Sequence, residues 1–153
     1  IAGDIAHSRV ARSAWQVFTA LGVGELRIAA PDTLMPKPHE FPNAARFTNI
    51  DMAIEGVDVV MALRIQRERM GSAQIPDESS YHKRFGITMQ RLKRAQPDAI
   101  VMHPGPMNRD VEIASDVADG PQSVIQRQVA NGVAVRMAVL ATIARNVQAR
   151  RWR

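Results

Sequence analysis

Apolar and polar positions follow two different periods along the chain, and the alternation between them predicts a succession of strands and helices. Residues 57–65 (VDVVMALRI) and 99–102 (AIVM) are nearly unbroken β-branched and apolar runs. Such runs are typical of parallel strands covered on both faces. The segment ELRIAA, residues 25–30, predicts a third strand, and the opening pair before Gly3 and Asp4 resembles the last turn of a fourth.

Between these strands the apolar spacing changes to that of a helix. Five apolar residues share one face of the first predicted helix, namely Val10, Ala14, Val17, Phe18 and Leu21. Gly22 is expected to end it, and either Ser8 or Asp4 is available to cap its start. Shorter helical stretches are predicted at 49–55 and at 78–95, the second broken near Gly86. Residues 122–147 predict a long helix.

Strands that alternate with helices predict an α/β fold, a doubly wound parallel sheet with right-handed crossovers and helices on both faces. We expect residues 1–153 to form a single domain. In such sheets ligands bind beyond the carboxyl ends of the strands. Three polar segments follow those ends: GDIAHSR at 3–9, RIQRER at 64–69 and HPGPMNR at 103–109.

Composition narrows the class of protein. The chain has 153 residues, 46% of them hydrophobic and 23% charged, which is ordinary for a globular domain. No apolar run approaches the roughly 18 residues that span a bilayer, so we expect no membrane partner. The sequence contains no cysteine, which excludes disulfides and thiol chemistry and fits a cytoplasmic location.

The net charge of +5 raises the alternative of a nucleic-acid-binding module. Three of those charges belong to the C-terminal arginines Arg150, Arg151 and Arg153, so the rest of the chain is nearly balanced. Two tryptophans, one tyrosine and four phenylalanines provide no stacking platform for bases. We therefore expect no nucleic-acid partner.

Arginine side chains stand at two of the predicted strand ends. Arg9 lies where the first helix begins, an arrangement suited to anions, although a solvated arginine would give the same pattern. Arg64 and Gln66 alternate around Ile65, so both should point to one side and offer a planar fork and a neutral donor to a carboxylate. The alternative is a structural ion pair between Arg64 and Glu68, which would also orient the arginine.

The segment after residues 99–102 places a histidine beside two prolines. Prolines fix φ and remove N–H donors, so the carbonyls of Pro104 and Gly105 are held rigid and are free to accept bonds from an amide. His103 is either a catalyst or a satisfied structural residue. No second histidine or carboxylate stands at metal-ligand spacing from His103, so no metal site is expected.

Five segments together resemble a known family: GDIAHSRVARS, VMALRIQRERM, YHKRFGIT, MHPGPMNRDVEI and VADGPQSVIQRQVANGVAVRMAVL. They closely resemble the second half of bacterial aspartate carbamoyltransferase catalytic chains. The resemblance implies that residues 1–153 are a single aspartate-binding domain with a Rossmann-like fold. It also implies that an N-terminal carbamoyl-phosphate-binding domain, with its S-T-R-T-R and H-P-x-Q motifs, is absent from this sequence.

The implied activity is transfer of a carbamoyl group from carbamoyl phosphate to L-aspartate, giving N-carbamoyl-L-aspartate and phosphate in de novo pyrimidine biosynthesis. By resemblance, Arg9 holds one carboxylate of aspartate, while Arg64 and Gln66 hold the other. The carbonyls of Pro104 and Gly105 hold the carbamoyl NH₂. Two residues would support this site, namely Glu68 and His103. No cofactor or metal is implied.

The resemblance also implies partners. Family catalytic chains form homotrimers with shared active sites, with dihydroorotase or a regulatory chain as a further partner. Ornithine carbamoyltransferases carry H-C-L-P where this chain has H-P-G-P, and they lack the R-x-Q pair, which favours aspartate as the substrate. An isolated domain is expected to be inactive. The alternative function is a non-catalytic homologue with an assembly role alongside dihydroorotase.

Two positions depart from the family pattern. Ala14 stands where asparagine commonly follows A-R-S, and Asp110 stands where glycine is expected after N-R. Asp110 adds a negative charge near the predicted site. It also places an ordinary side chain where the freedom of a glycine backbone is expected to be needed.

Overall fold

The computed structural model describes residues 1–66 and 77–151, and the side chains of these up to residue 147. The strands within these ranges are β1 (Ala2–Gly3), β2 (Arg27–Ala29), β3 (Ala45–Phe47), β4 (Val59–Leu63) and β5 (Ile100–Met102). The helices are α1 (Arg9–Ala20), α2 (Ile50–Ala53), α3 (Glu78–Phe85), α4 (Met89–Leu92), α5 (Ser115–Ala118) and α6 (Ile125–Arg151).

All five strands belong to one parallel sheet in the order β3-β2-β1-β4-β5. The chain runs outward from β1 through β2 to β3, and then from β4 to β5 in the opposite direction. Right-handed crossovers in opposite directions place the connecting helices on opposite faces. The predicted doubly wound α/β fold is therefore confirmed, with its switch point between β1 and β4.

β4 is a buried inner strand of this sheet. Its last four residues are each at most 5% exposed: Val60, Met61, Ala62 and Leu63. This confirms the prediction from the unbroken apolar run. Beside it, β1 comes so close that a Cβ at Gly3 would collide with the carbonyl oxygen of Leu63, and Gly3 has a φ of +130°. Glycine at this position is required by the packing of β1 on β4.

Ser8 caps α1, because its Oγ accepts the N–H of Ala11 at 3.1 Å. The face that α1 buries overlaps only in part with the predicted one. Ala11 is fully buried, and Trp15 packs edge-on against Phe41 with ring centroids 6.0 Å apart. Three residues of the predicted face are exposed instead, namely Val10, Val17 and Leu21. The prediction was right for Ala14 and Phe18, which pack against the core, and wrong for these three, because α1 faces the core along its Ala11 and Trp15 side.

Two short elements were not predicted. β3 has only three residues and pairs with β2 at the edge of the sheet, and α5 has four residues. The proline-rich loop at 31–43 contains two 3₁₀ turns, Asp32–Leu34 and Pro38–Glu40. Glu40 binds Arg12 of α1 with an Oε1–Nη2 distance of 2.6 Å, which ties this loop to the helix.

The predicted interruption of residues 78–95 is confirmed. α3 ends before Gly86, whose N–H donates to the carbonyl of His82 at 2.9 Å. α4 then begins at a new cap, where Thr88 Oγ1 accepts the N–H of Arg91 at 3.3 Å. α3 therefore stops before α4 starts, and the two are separate helices.

α6 is one continuous helix of 27 residues, which confirms the long helix predicted from the sequence. Only its first turn joins the core, where Ile125 is 4% exposed. The apolar residues beyond that turn are roughly half exposed or more: Val129, Val133, Met137, Leu140, Ile143 and Val147. No helix among the described residues is both long and apolar enough to cross a membrane.

Candidate functional site

The three predicted polar segments begin at one edge of the sheet, here called the carboxyl edge. Gly3 of β1 pairs with Leu63 of β4, and Met61 of β4 pairs with Met102 of β5. Neighbouring strands lie about 4.8 Å apart. Asp4 and Arg64, which follow β1 and β4, therefore emerge side by side, and His103, which follows β5, emerges at the same edge, level with Ala62.

Asp4 connects two of these segments. It is fully buried, and its Oδ1 accepts the backbone N–H of His7 at 3.2 Å and lies 2.8 Å from His7 Nδ1. Its Oδ2 accepts the backbone N–H of Gln66 at 3.2 Å. Asp4 is thus not the cap of α1 but a bridge from β1 to the exit of β4. The sequence signal for this role was a charged residue directly after an apolar strand.

Arg9 is the first residue of α1 and is exposed at the carboxyl edge. Within the described parts of the chain its guanidinium has neither a hydrogen bond nor an ion pair. Arg12, one turn later, is fully engaged by the carbonyls of Ser8 and Ala6 at 3.1 Å each and by Glu40. Arg9 is the arginine of α1 whose donors are available to an anion at a helix N-terminus.

Arg64 and Gln66 are half-buried, and Ile65 between them is 3% exposed. This alternation is the one predicted, with the two polar side chains on one side of the exiting strand and Ile65 on the core side. Gln66 is further held through its backbone bond to Asp4. Glu68, predicted to pair with Arg64, lies outside the described residues.

His103 is fully buried and bonded at the start of its loop. Its backbone N–H donates to Gln128 Oε1 at 3.0 Å, and its Nδ1 accepts the N–H of Gly105 at 2.9 Å. A ring nitrogen that accepts an N–H carries no proton, so the ring proton of a neutral His103 is on Nε2. This arrangement supports the structural interpretation of His103.

Pro104 and Gly105 present the carbonyls for which a role was predicted. Within residues 1–66 and 77–147, neither carbonyl oxygen accepts a hydrogen bond. Gly105 has a φ of +65°, in the left-handed region that favours glycine, and the Gly105–Pro106 peptide is cis. Both residues are half-buried, so the carbonyls are available near the carboxyl edge.

Asp110 has a φ of +60°, the conformation for which glycine was expected. Its carboxylate accepts the backbone N–H of Ser115 at 2.9 Å and the Ser115 hydroxyl at 3.1 Å. These bonds, led by the backbone one, hold the pKa of Asp110 below its usual value. The negative charge of Asp110, which was expected near the site, is therefore bonded to Ser115 at the start of α5.

Glu112 and Tyr81 complete a buried polar group that was not predicted from the sequence. Glu112 is 2% exposed, and its Oε1 accepts the N–H of Asn108 at 2.6 Å. Burial raises the pKa of Tyr81, and the charges of Glu112 and Asp4 raise it further. The signal for Glu112 was a single acid between the buried Val111 and Ile113.

A cavity of about 450 Å³ lies at the opposite, amino edge of the sheet. Its walls are mostly apolar and include Phe18, Ile50 and Val57, and none of the predicted site residues lines it. In the described segments no three His, Asp or Glu side chains lie close enough together to hold a metal ion. The candidate site is placed at the carboxyl edge because the predicted site residues that the structure describes lie there.

These features define a class of protein, a Rossmann-like α/β domain with polar side chains at the switch point of its sheet, where ligands bind in such folds. The particular family follows from the sequence. The model of the family described as "Aspartate/ornithine carbamoyltransferase, Asp/Orn binding domain" matches residues 1–143, and the chain belongs to this family.

Solved structures of both kinds of enzyme resemble the chain. Aspartate transcarbamoylase from Trypanosoma cruzi in complex with phosphate matches with a TM-score of 0.72 and 27% identity over 91% of this chain and 47% of its own. Ornithine carbamoyltransferase from Pyrococcus furiosus matches with a TM-score of 0.74 and 24% identity over 92% of this chain and 47% of its own. The chain thus spans less than half the length of these proteins.

A second Trypanosoma cruzi structure, in complex with carbamoyl aspartate and phosphate, matches with a TM-score of 0.74 and 25% identity over 91% of this chain and 48% of its own. Aspartate and ornithine enzymes therefore match the fold about equally well. The comparisons identify a carbamoyltransferase-family domain without choosing between the two amino acids.

Proposed function

We propose that this chain is the amino-acid-binding domain of an aspartate carbamoyltransferase and that its amino acid is L-aspartate. The observation that carries the proposal is the pair of arginines at the carboxyl edge, Arg9 at the start of α1 and Arg64 at the exit of β4. Aspartate has two carboxylates, and guanidinium groups bind carboxylates in a planar, bidentate way. The ornithine side chain ends in a cation, which two arginines would repel.

In this function Arg9 binds one carboxylate, while Arg64 and the Gln66 amide bind the other. The carbonyls of Pro104 and Gly105 accept the two N–H groups of the carbamoyl amide. Their support is their position beside β4 and the lack of any described donor to them. The domain then acts by aiming the amine of aspartate at the carbamoyl carbon.

The proposed reaction forms a C–N bond between the aspartate amine and the carbamoyl carbon. The C–O bond to phosphate breaks as the tetrahedral intermediate collapses, and the departing phosphate takes the proton that the amine loses. Negative charge develops on the carbamoyl oxygen in between. We assign its stabilisation to the carbamoyl-phosphate-binding half of a complete enzyme.

A titration of the isotope-labelled chain with L-aspartate and with L-ornithine tests this proposal. We expect aspartate, and succinate as a dicarboxylate without the amine, to shift the amide signals of Arg9 and Gln66, and ornithine to leave them in place. Arg9→Gln should abolish the response. Arg136→Gln removes an exposed arginine of α6 and is the matched control. A response to ornithine alone would overturn the assignment.

Activity is tested by supplying the other half of the enzyme. A chimera would carry the carbamoyl-phosphate-binding half of the Trypanosoma cruzi aspartate transcarbamoylase ahead of Ile1. We expect it to form N-carbamoyl-L-aspartate and not citrulline, and Arg64→Ala in the chimera to abolish the product. A folded chimera that binds aspartate without turnover would favour the non-catalytic alternative. Cytoplasmic location, the homotrimer and the dihydroorotase or regulatory partner stay predictions.

A further inference from the structure

The loop from His103 to Arg109 rests on two buried side chains. His103 is fully buried and Glu112 is 2% exposed, so both are covered by the protein. Each is bonded to the backbone of the loop, His103 near its beginning and Glu112 near its end. They differ in this from the exposed pair that Arg109 forms with Asp119, whose N–O distances are 2.6 and 2.9 Å.

The hydrogen bond between the His103 ring and the N–H of Gly105 forms in only one of the two ring tautomers. The N–H of Gly105 donates to Nδ1 at 2.9 Å, which requires a lone pair on Nδ1 and hence a proton on Nε2. In the other tautomer an Nδ1–H would face the N–H of Gly105. The two donors would repel each other, and the turn at Gly105 would lose its bond.

Glu112 is placed to select that form. Its Oε1 accepts the N–H of Asn108 at 2.6 Å and lies 3.3 Å from His103 Nε2. This second distance is a close polar contact outside hydrogen-bond alignment, and Nε2 has no other partner within the described ranges. A carboxylate beside one ring nitrogen favours the proton on that nitrogen.

The backbone of Glu112 is itself anchored. The Glu112 carbonyl accepts the N–H of Ile87 at 3.0 Å, just beyond α3, and the flanking Val111 and Ile113 are buried. The Glu112 carboxylate therefore projects from an anchored backbone segment and contacts the buried side of the loop at 103–109. One oxygen of this carboxylate, Oε1, faces both the His103 ring and the Asn108 amide.

We infer that Glu112 is a positioning residue that sets the His103 tautomer and, through it and Asn108, the direction of the Pro104 and Gly105 carbonyls. The inference rests on the proposed function in one respect, that these carbonyls bind the carbamoyl amide. Glu112 acts through His103 and the loop backbone, because it is buried beneath them. Loss of Oε1 removes the bond to the Asn108 N–H and the contact with the His103 ring, so the loop is no longer held at either residue.

Two variants separate this role from general packing. Glu112→Met removes both oxygens at similar volume, whereas Glu112→Gln keeps an oxygen at the Oε1 position. Nitrogen NMR of the imidazole reports the tautomer, and hydrogen exchange reports the Gly105 amide. We expect the wild type and Glu112→Gln to show Nε2–H and a protected Gly105. We expect Glu112→Met, once circular dichroism shows that it is folded, to show mixed tautomers and loss of that protection.

Ligand binding supplies the functional readout. N-carbamoyl-L-aspartate and succinate both carry two carboxylates, but only the first has a carbamoyl NH₂. We expect the wild type and Glu112→Gln to prefer N-carbamoyl-L-aspartate by about fivefold to a hundredfold, the effect of the two net hydrogen bonds from the carbamoyl NH₂. Glu112→Met should lose the preference while its affinity for succinate stays unchanged.

The outcomes distinguish the two proposals. A folded Glu112→Met with the wild-type tautomer and a protected Gly105 overturns the positioning role, as does a Glu112→Gln that behaves like Glu112→Met. A wild type that binds neither ligand overturns the proposed function, while the tautomer and exchange measurements still decide the role of Glu112. A changed tautomer with unchanged ligand preference overturns the link to the carbonyls.

Discussion

Two arginines one turn apart on α1 show how much a residue's role depends on its partners. Arg12 is bound by Glu40 and by two carbonyls, whereas Arg9 has no bonded partner among the described residues. Both are arginines near a helix start, so local sequence does not separate them. Their difference comes from the loop that brings Glu40, 28 positions away, to one of them.

We therefore expect Arg9→Gln and Arg12→Gln to have opposite effects. Arg9→Gln should change the free energy of unfolding by less than about 0.5 kcal/mol, as for an exposed side chain, and abolish the aspartate response. Arg12→Gln should lower that free energy by about 1 kcal/mol or more, because bonds to a charged group are lost. Urea unfolding and the NMR titration measure the two effects. Destabilisation by Arg9→Gln would contradict the assignment of Arg9 as available.

Asp110 should make stability depend on acid pH. Its bonds from Ser115 lower its pKa from 3.8 in the folded chain, so folding favours the ionised form. This contribution is complete above the unfolded value and is lost as the pH falls through the lower folded value. The unfolding midpoint of the wild type should therefore fall more steeply below pH 3.8 than that of Asp110→Asn. Parallel curves would contradict this role for the Asp110 carboxylate.

Helices and strands were predictable where an element is buried on both faces. They were not predictable where contacts with distant residues determine whether the element forms. β4 is covered on both faces, so its sequence is apolar at nearly every position and reveals the strand. β3 is a three-residue edge strand with the exposed Arg46 at its centre, and nothing local marks it. The buried face of α1 was predictable only in part, because its core contacts run through Ala11 and through Trp15, whose partner Phe41 comes from a distant loop.

The contact between β1 and β4 provides a prediction at this scale. Gly3→Ala should lower the free energy of unfolding by about 2 kcal/mol or more, because the new Cβ collides with the Leu63 carbonyl and φ is positive. Gly24→Ala is the matched control, since an added Cβ there meets nothing within 4 Å. Thermal and urea unfolding of both variants measure the difference. Equal stability of the two would contradict a close approach of β1 to β4.

For the molecule as a whole, the common edge at which the candidate site residues lie was more predictable than the bonds among them. Polar segments after strands indicated the carboxyl edge, because all strands of a parallel sheet end on the same side. The bond from the Gln66 amide to Asp4 spans 62 positions, and no local pattern predicts such a partner. Glu112 was missed for the same reason, since its role depends on His103 and on the course of the loop between them.

α6 determines how the whole domain should behave in solution. Its apolar side, represented by Val133, Met137 and Leu140, is exposed, and apolar surface of this extent promotes association. We expect the 16.9 kDa chain to self-associate as its concentration rises, and the triple variant V133Q/M137Q/L140Q to sediment as a monomer. The matched control carries three glutamines on another side of the helix, at Ala134, Ala138 and Ala141. It should associate like the wild type, and a wild type that is monomeric at every concentration would refute the prediction.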